Sequence, residues 1–169
     1  MRKGFTLIEL IVVIAIIAIL AAIIAPNAFK SIEKARISGA EGDLRTIKTG
    51  AMSYYSDVGN WPANGTCPTS SNCLFTDNIG NVSGWDGPYL EKWPQRNPWG
   101  GKYTWIFGTT TMFGSPANTA VRYVSANAVP AAAGNKIDTN LDDGNLTAGS
   151  VIYNATNQIL YFEISNDEY

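Results

Sequence analysis

The chain has 169 residues, 12 of them basic and 14 acidic, with no histidine, two cysteines, a net charge of −2 and a pI near 5.0. That length holds an anchor and one domain with a modest core, and two domains would not fit. The basic residues beyond Lys3 are scattered, so there is no footprint for a polyanion and no direct nucleic-acid partner is expected. Without histidine, a nucleophile elbow or a phosphate loop, no general acid/base pair can be nominated, and the chain reads as a non-enzyme.

At the N-terminus a basic head, Met1-Arg2-Lys3-Gly4, joins directly to an apolar run from Phe5 to Ala25, broken by one acid, Glu9. As a helix rising about 1.5 Å per residue, the run crosses a hydrocarbon core of about 30 Å and is a membrane-spanning candidate. The competing reading is a secretory signal cut near Ala21-Ala22. The minimal basic head and Gly4 directly before the run argue instead for a cut that keeps the helix. An ionised Glu9 in hydrocarbon costs at least about 3 kcal/mol unless it finds a partner; the bland alternative is an acid snorkelling near the helix end.

The segment Gly4-Phe5-Thr6-Leu7-Ile8-Glu9 resembles the class III signal of type IV prepilins and type II secretion pseudopilins. The resemblance implies that a prepilin peptidase cuts between Gly4 and Phe5 on the cytoplasmic side and methylates the new amine of Phe5. It gives Glu9 a filament-assembly role, as partner to the N-terminal amine of an adjacent subunit. It further implies a homo-oligomeric filament, an inner-membrane assembly platform and minor pilins or pseudopilins as partners. The expected location is the bacterial inner membrane, single-pass with the C-terminal domain in the periplasm, then a periplasmic or surface filament.

Beyond the apolar run, Ile37, Ala40, Leu44, Ile47, Ala51, Tyr54 and Val58 recur at spacings of three and four and predict a helix with one apolar face. Pro26 predicts a kink rather than an end. Gly39, Gly42 and Gly50 weaken the helix, either as thin places for fibre neighbours or for close packing within the domain. A stop is expected at Val58-Gly59, with Gly59 as the left-handed cap.

Residues 60–101 form a Pro- and Gly-rich connection, for which Trp61, Phe75, Trp85, Tyr89, Trp93 and Trp99 are packing anchors. Cys67 and Cys73 cannot make a structural zinc site without further ligands. In an oxidising compartment they read as a disulfide pinning a surface loop, against two free thiols. Gly87-Pro88-Tyr89-Leu90 and Asn97-Pro98-Trp99-Gly100-Gly101-Lys102-Tyr103 resemble the globular-domain signature of major pseudopilins, with Asn97 where an acid is more usual.

Runs rich in Tyr, Val, Ile and Trp predict strands at 103–107, 120–126, 150–153 and 158–164. The fold class is α+β, with the helix's C-terminal half on a small antiparallel sheet, in agreement with the pilin fold that the resemblance implies. The segments are a leader at 1–4, a transmembrane and filament-core helix at 5–25, the amphipathic half of the helix at 26–59, the connection at 60–101 and the sheet at 102–169, with an acidic loop at 138–145.

In that loop Asp138, Asn140 and Asp142 alternate as oxygen ligands for a hard cation such as calcium. An EF-hand is not completed, because Asp143 stands at the expected Gly and Gly149 at the expected bidentate Glu. Major pseudopilins carry a C-terminal calcium loop with paired acids, which Asp142 and Asp143 match. The alternative is an acidic hairpin turn. Sequons at Asn64, Asn81, Asn145 and Asn154 are better explained by chance in a chain rich in Asn, Ser and Thr.

Two functions follow from the resemblance. The first is the major pseudopilin of a type II protein secretion system, favoured by the Pro-Trp-Gly region and the acid pair. The second is a type IV pilin of a surface pilus serving adhesion, twitching motility or DNA uptake. The stretch from Asn145 to Tyr169 is longer than a major pseudopilin usually carries after its acids. The cysteines also lie away from the C-terminal position of many pilin disulfides. A monomeric membrane-anchored binding protein would make Glu9 and the Gly4-Phe5 junction accidents.

Overall fold

The computed structural model describes residues 5–63, 67, 73–109, 111–115 and 119–166, so Gly4 and Asn64 lie outside the described residues. The chain divides into two compact units, residues 1–35 and 36–169, and helix α1, Leu7–Val58, runs through both.

In the first unit every described residue up to Ile32 is exposed, and most are large and apolar on all sides of the helix. A helix apolar all round is stable only inside a non-aqueous environment, either lipid or other helices. Its length and composition suffice to cross a membrane. Pro26 sits inside α1 without ending it, since one proline removes a single backbone bond while its neighbours keep theirs.

In the second unit α1 buries Ile37, Ala40, Leu44, Ile47, Ala51 and Tyr54, the face that the spacing predicts. The helix stops at Val58, where Gly59 takes a φ of 75° and donates its N–H to Tyr55 O at 2.8 Å. Gly59 is thus the left-handed cap. Strands β1 (Tyr103–Thr109), β2 (Ala120–Ala126), β3 (Val151–Asn154) and β4 (Ile159–Asn166) form one antiparallel sheet in the order β1-β2-β4-β3. Tyr103, Trp105, Val124, Ala126, Leu160, Phe162 and Ile164 alternate inward along their strands and are buried in one core with the α1 face.

The connection supplies much of that core. Phe75 stacks on Trp93 at 6.0 Å, meets Trp105 edge-on at 5.2 Å and Tyr54 edge-on at 5.7 Å. Buried indoles must also place their N–H groups. Trp93 donates to Tyr103 O at 3.3 Å and Trp105 to Pro62 O at 3.2 Å. Cys67 and Cys73 are joined by a disulfide, and both are buried in the same cluster. The bridge therefore ties the connection to the core, where the sequence suggested a surface loop.

Gly50 separates the two readings of the helix glycines. A Cβ there would lie 2.8 Å from Leu90 Cδ2 and 3.1 Å from Tyr89 O, so Gly50 admits the Tyr89-Leu90 segment against α1. Nothing lies within 4 Å of a Cβ placed on Gly42.

A second helix, α2 (Ala131–Leu141), was not anticipated, nor was the short 3-10 turn Met112–Gly114. Pro130 precedes an alanine-rich start, both of which favour a helix. Gly134 brings α2 against β3, since a Cβ there would fall 2.6 Å from the Tyr153 ring. This corrects the acidic loop expected at 138–145: Asp138 to Leu141 are the last turn of α2, and irregular backbone begins only after them.

Candidate functional site

Two groups of polar residues stand out, one in each unit. At the start of α1, Thr6 accepts the Leu10 N–H through its carbonyl at 3.3 Å and so caps the helix. Glu9 Oε2 accepts both the Thr6 N–H at 2.8 Å and the Thr6 hydroxyl at 2.7 Å, and the Glu9 N–H points back to Thr6 Oγ1 at 3.4 Å. This reciprocal pair is a capping box, which satisfies backbone donors that a helix start otherwise leaves open. Sequence reasoning missed it, although Thr-x-x-Glu ahead of an apolar run is its signal. Phe5, the residue expected to carry the methylated amine, precedes the cap and is 80 % exposed.

The second group is acidic. Asp138 in the last turn of α2 is wholly buried, and neither carboxylate oxygen meets a hydrogen-bond partner among the described residues. Asp142, half-buried, follows one helical turn later, and Asp143 is exposed. One oxygen from each of the three lies within 4.8 Å of the others. Burial, and then the charges of Asp142 and Asp143, push the Asp138 carboxyl above the ordinary aspartate range.

Backbone groups fix the rest of the cluster. Asp142 Oδ2 accepts the N–H groups of Ser150 at 2.5 Å and Val151 at 3.1 Å, where β3 begins, and Asp143 Oδ1 accepts that of Asn145 at 2.8 Å. Gly149, with a φ of 93°, has no room for a side chain, since a Cβ would clash with Asp142 Oδ2. The position that breaks the EF-hand pattern is thus what lets Asp142 approach.

Asn140 does not join these acids. On a helix, residues two apart point to nearly opposite sides, whereas residues four apart share a face. Asn140 instead donates its amide to Glu41 Oε1 of α1 at 2.6 Å. The expected four-residue set contracts to Asp138, Asp142 and Asp143. All donors in the cluster are hard oxygens, the set that calcium takes.

Comparisons with known proteins bear on the first group. A family profile described as "Prokaryotic N-terminal methylation motif" matches residues 1–25. The type II secretion system core protein G of Pseudomonas aeruginosa is 33 % identical over 109 residues, covering 62 % of this chain and 73 % of that protein. The chain belongs to the type IV pilin and type II secretion pseudopilin family.

As a member of that family it also matches the profile "PilW, C-terminal" over residues 31–112. A solved structure of the major type IV pilin PilA1 from Clostridium difficile aligns with a TM-score of 0.47 at 21 % identity, over 79 % of this chain and 97 % of its own. The turn Asn97-Pro98-Trp99-Gly100-Gly101 closes around Asn97. Its Oδ1 accepts the N–H groups of Trp99 and Gly101 at 3.0 Å, and its Nδ2 donates to Asn127 O at 2.6 Å. Gly101 is required there, since any Cβ would collide with the Asn127 carbonyl. Asn127, missed by sequence reasoning, carries no sequence signal because its partners lie 25 and 30 residues away.

Proposed function

We propose that this chain is the major pseudopilin of a type II protein secretion system, a structural filament subunit. The observation that carries the reading is its 33 % identity to the core protein G of such a system across 73 % of that protein. On this reading residues 1–4 are a leader, cut by a prepilin peptidase after Gly4, and Phe5 becomes the methylated N-terminus. The apolar part of α1 anchors the subunit in the bacterial inner membrane with unit 36–169 in the periplasm. It later packs among neighbouring helices on an assembly platform, beside minor pseudopilins.

Glu9 supplies the assembly contact. In the single chain its carboxylate is held by Thr6. In the filament it exchanges part of that bonding for the positive amine of an adjacent Phe5, a charge pair worth more in a low-dielectric core than at a surface. The acidic cluster binds calcium through Asp138, Asp142 and Asp143, and neutralising their mutual repulsion draws α2 toward the start of β3. The buried oxygens of Asp138, which meet no hydrogen-bond partner among the described residues, support this assignment.

Electron microscopy of sheared surface material at native expression tests the reading against its alternative. A pseudopilin filament is expected to stay within the envelope, so long extracellular fibres of this subunit would instead establish a surface pilin.

A further inference from the structure

Beyond Pro26 the first unit carries charge on one side of α1. Lys30 and Lys34 share a helix face by their spacing, and both are exposed. Neither ammonium meets an acid or another hydrogen-bond acceptor among the described residues. Phe29, 71 % exposed, and Ile32, 51 % exposed, lie together on another face, roughly 150° around the helix from the lysines. From 26 to 36 the sequence holds three cations, Lys30, Lys34 and Arg36, and one acid, Glu33, which offsets at most one of them.

The apolar run ends at Ala25, so the backbones of Lys30 and Lys34 lie about 7.5 and about 13.5 Å further along the helix. Headgroups extend about 5–7 Å beyond the hydrocarbon on each side of a bilayer. Helical side chains lean toward the N-terminus, and lysine stems follow apolar surface while their ammonium groups stay in polar surroundings. Both ammonium groups are thereby drawn back toward the headgroup layer, and Phe29 and Ile32 suit the acyl boundary below it.

We infer that Lys30 and Lys34 bind anionic phospholipid headgroups at the Ala25 end of the membrane-spanning run and so fix the depth of α1 in the bilayer. The inference rests on reading Phe5 to Ala25 as a membrane span. Two observations single out lipid as the occupant: the helix is continuous from the span to the lysines, and the local charge is positive. A compact ammonium acts as a point charge that suits a phosphate, and each lysine near an anionic surface adds its own attraction. Two cations are too few for a polyanion but match single headgroups.

The test places the full chain in phosphatidylcholine bicelles, replaces that lipid stepwise with phosphatidylglycerol, and follows the backbone NMR signals from Phe29 to Lys34. These are expected to shift to saturation, while Ile14 in mid-span and Val124 in the sheet core stay in place. Lys30→Gln with Lys34→Gln should raise the phosphatidylglycerol fraction at half-shift about tenfold. Lys30→Arg with Lys34→Arg keeps the charge and should leave that fraction within about twofold. Unit 36–169 should keep its melting temperature in both variants, since the substituted residues lie outside it.

A nitroxide on the lipid tail separates this inference from the reading beneath it. Broadening of Ile14 without any response to phosphatidylglycerol overturns the lipid site and leaves the span standing. No broadening of Ile14 overturns the span, and the site with it. An unchanged half-shift in the glutamine variant also overturns the site and leaves the two lysines to an acidic protein partner.

Discussion

The Asn97 amide donates to the carbonyl of Asn127 at 2.6 Å, tying the Pro-Trp-Gly turn to the segment that follows β2. An acid at position 97 could still accept from Trp99 and Gly101 but would set a carboxylate oxygen against the Asn127 carbonyl. Asn97→Asp is therefore expected to cost about 1–3 kcal/mol, the range for a buried polar group left unpaired. Urea denaturation measures it, and an unchanged midpoint would remove the donor role from Asn97.

Two glycines of α1 should respond to alanine with opposite signs. Gly50→Ala gains helix propensity of about 1 kcal/mol but drives a methyl into Leu90 and Tyr89 O, an overpacking cost of about 1–3 kcal/mol. Gly42→Ala meets open space and keeps the gain. Thermal melts should fall for the first variant and rise for the second. A rise for both would mean that Leu90 yields freely.

For Glu9, assembly and local capping can be separated. Thr6→Ala removes the hydroxyl of the capping box, a loss of about 1 kcal/mol at a helix start, yet leaves the acid in place for a neighbouring amine. Glu9→Leu removes the acid itself. Both variants should accumulate in the membrane fraction, but only Glu9→Leu should abolish filaments. Normal filament yield from Glu9→Leu would refute the assembly role.

Calcium at about 100 times its dissociation constant is expected to stabilise the folded chain by about 2.7 kcal/mol. Asp138→Asn should abolish that gain while leaving the calcium-free protein at least as stable, because it removes a buried charge. The melting temperature with and without millimolar calcium decides the matter. No shift in the unaltered chain would eliminate a stabilising site.

Asp43 of α1 accepts the Tyr103 hydroxyl at 3.1 Å. Burial lifts its carboxyl above the ordinary range, and the Tyr103 bond opposes this only in part. The folded chain thus keeps a proton that the unfolded chain has already released. Stability attributable to Asp43 falls as pH rises from about 4, the unfolded value, through the raised folded one, and then levels off. Asp43→Asn keeps an acceptor for Tyr103 and should flatten that part of the pH profile. Parallel profiles in melts between about pH 4 and 7 would show that Asp43 titrates normally.

Much of the fold was legible because its signals are local. The α1 face from Ile37 to Tyr54 follows from 3.6-residue periodicity, and the four strands from runs of β-branched and aromatic residues bounded by turns. The Gly59 cap needed only the residue type and its place after the apolar face. Helix α2 escaped because Asp138, Asn140 and Asp142 suggest a loop when read as alternating ligands, whereas the preceding alanines extend a helix into the first of them. The sequence places these acids near one another along the chain. Only the helix, with its 100° turn per residue, decides that Asp138 and Asp142 converge while Asn140 turns to Glu41.

The family and the membrane-length helix were determined by the sequence alone, since both reside in contiguous residues, Gly4 to Glu9 and Phe5 to Ala25. Tertiary structure alone decided which groups are buried and which distant residues meet: Asp138, Asn97 with Asn127, Gly50 with Leu90, and the stack of Tyr55, Trp61, Arg122 and Phe107. The reason is physical. Local propensity depends on neighbours within a few residues, whereas burial, close approach and charge environment depend on where the sheet register and the α1 face bring segments tens of residues apart.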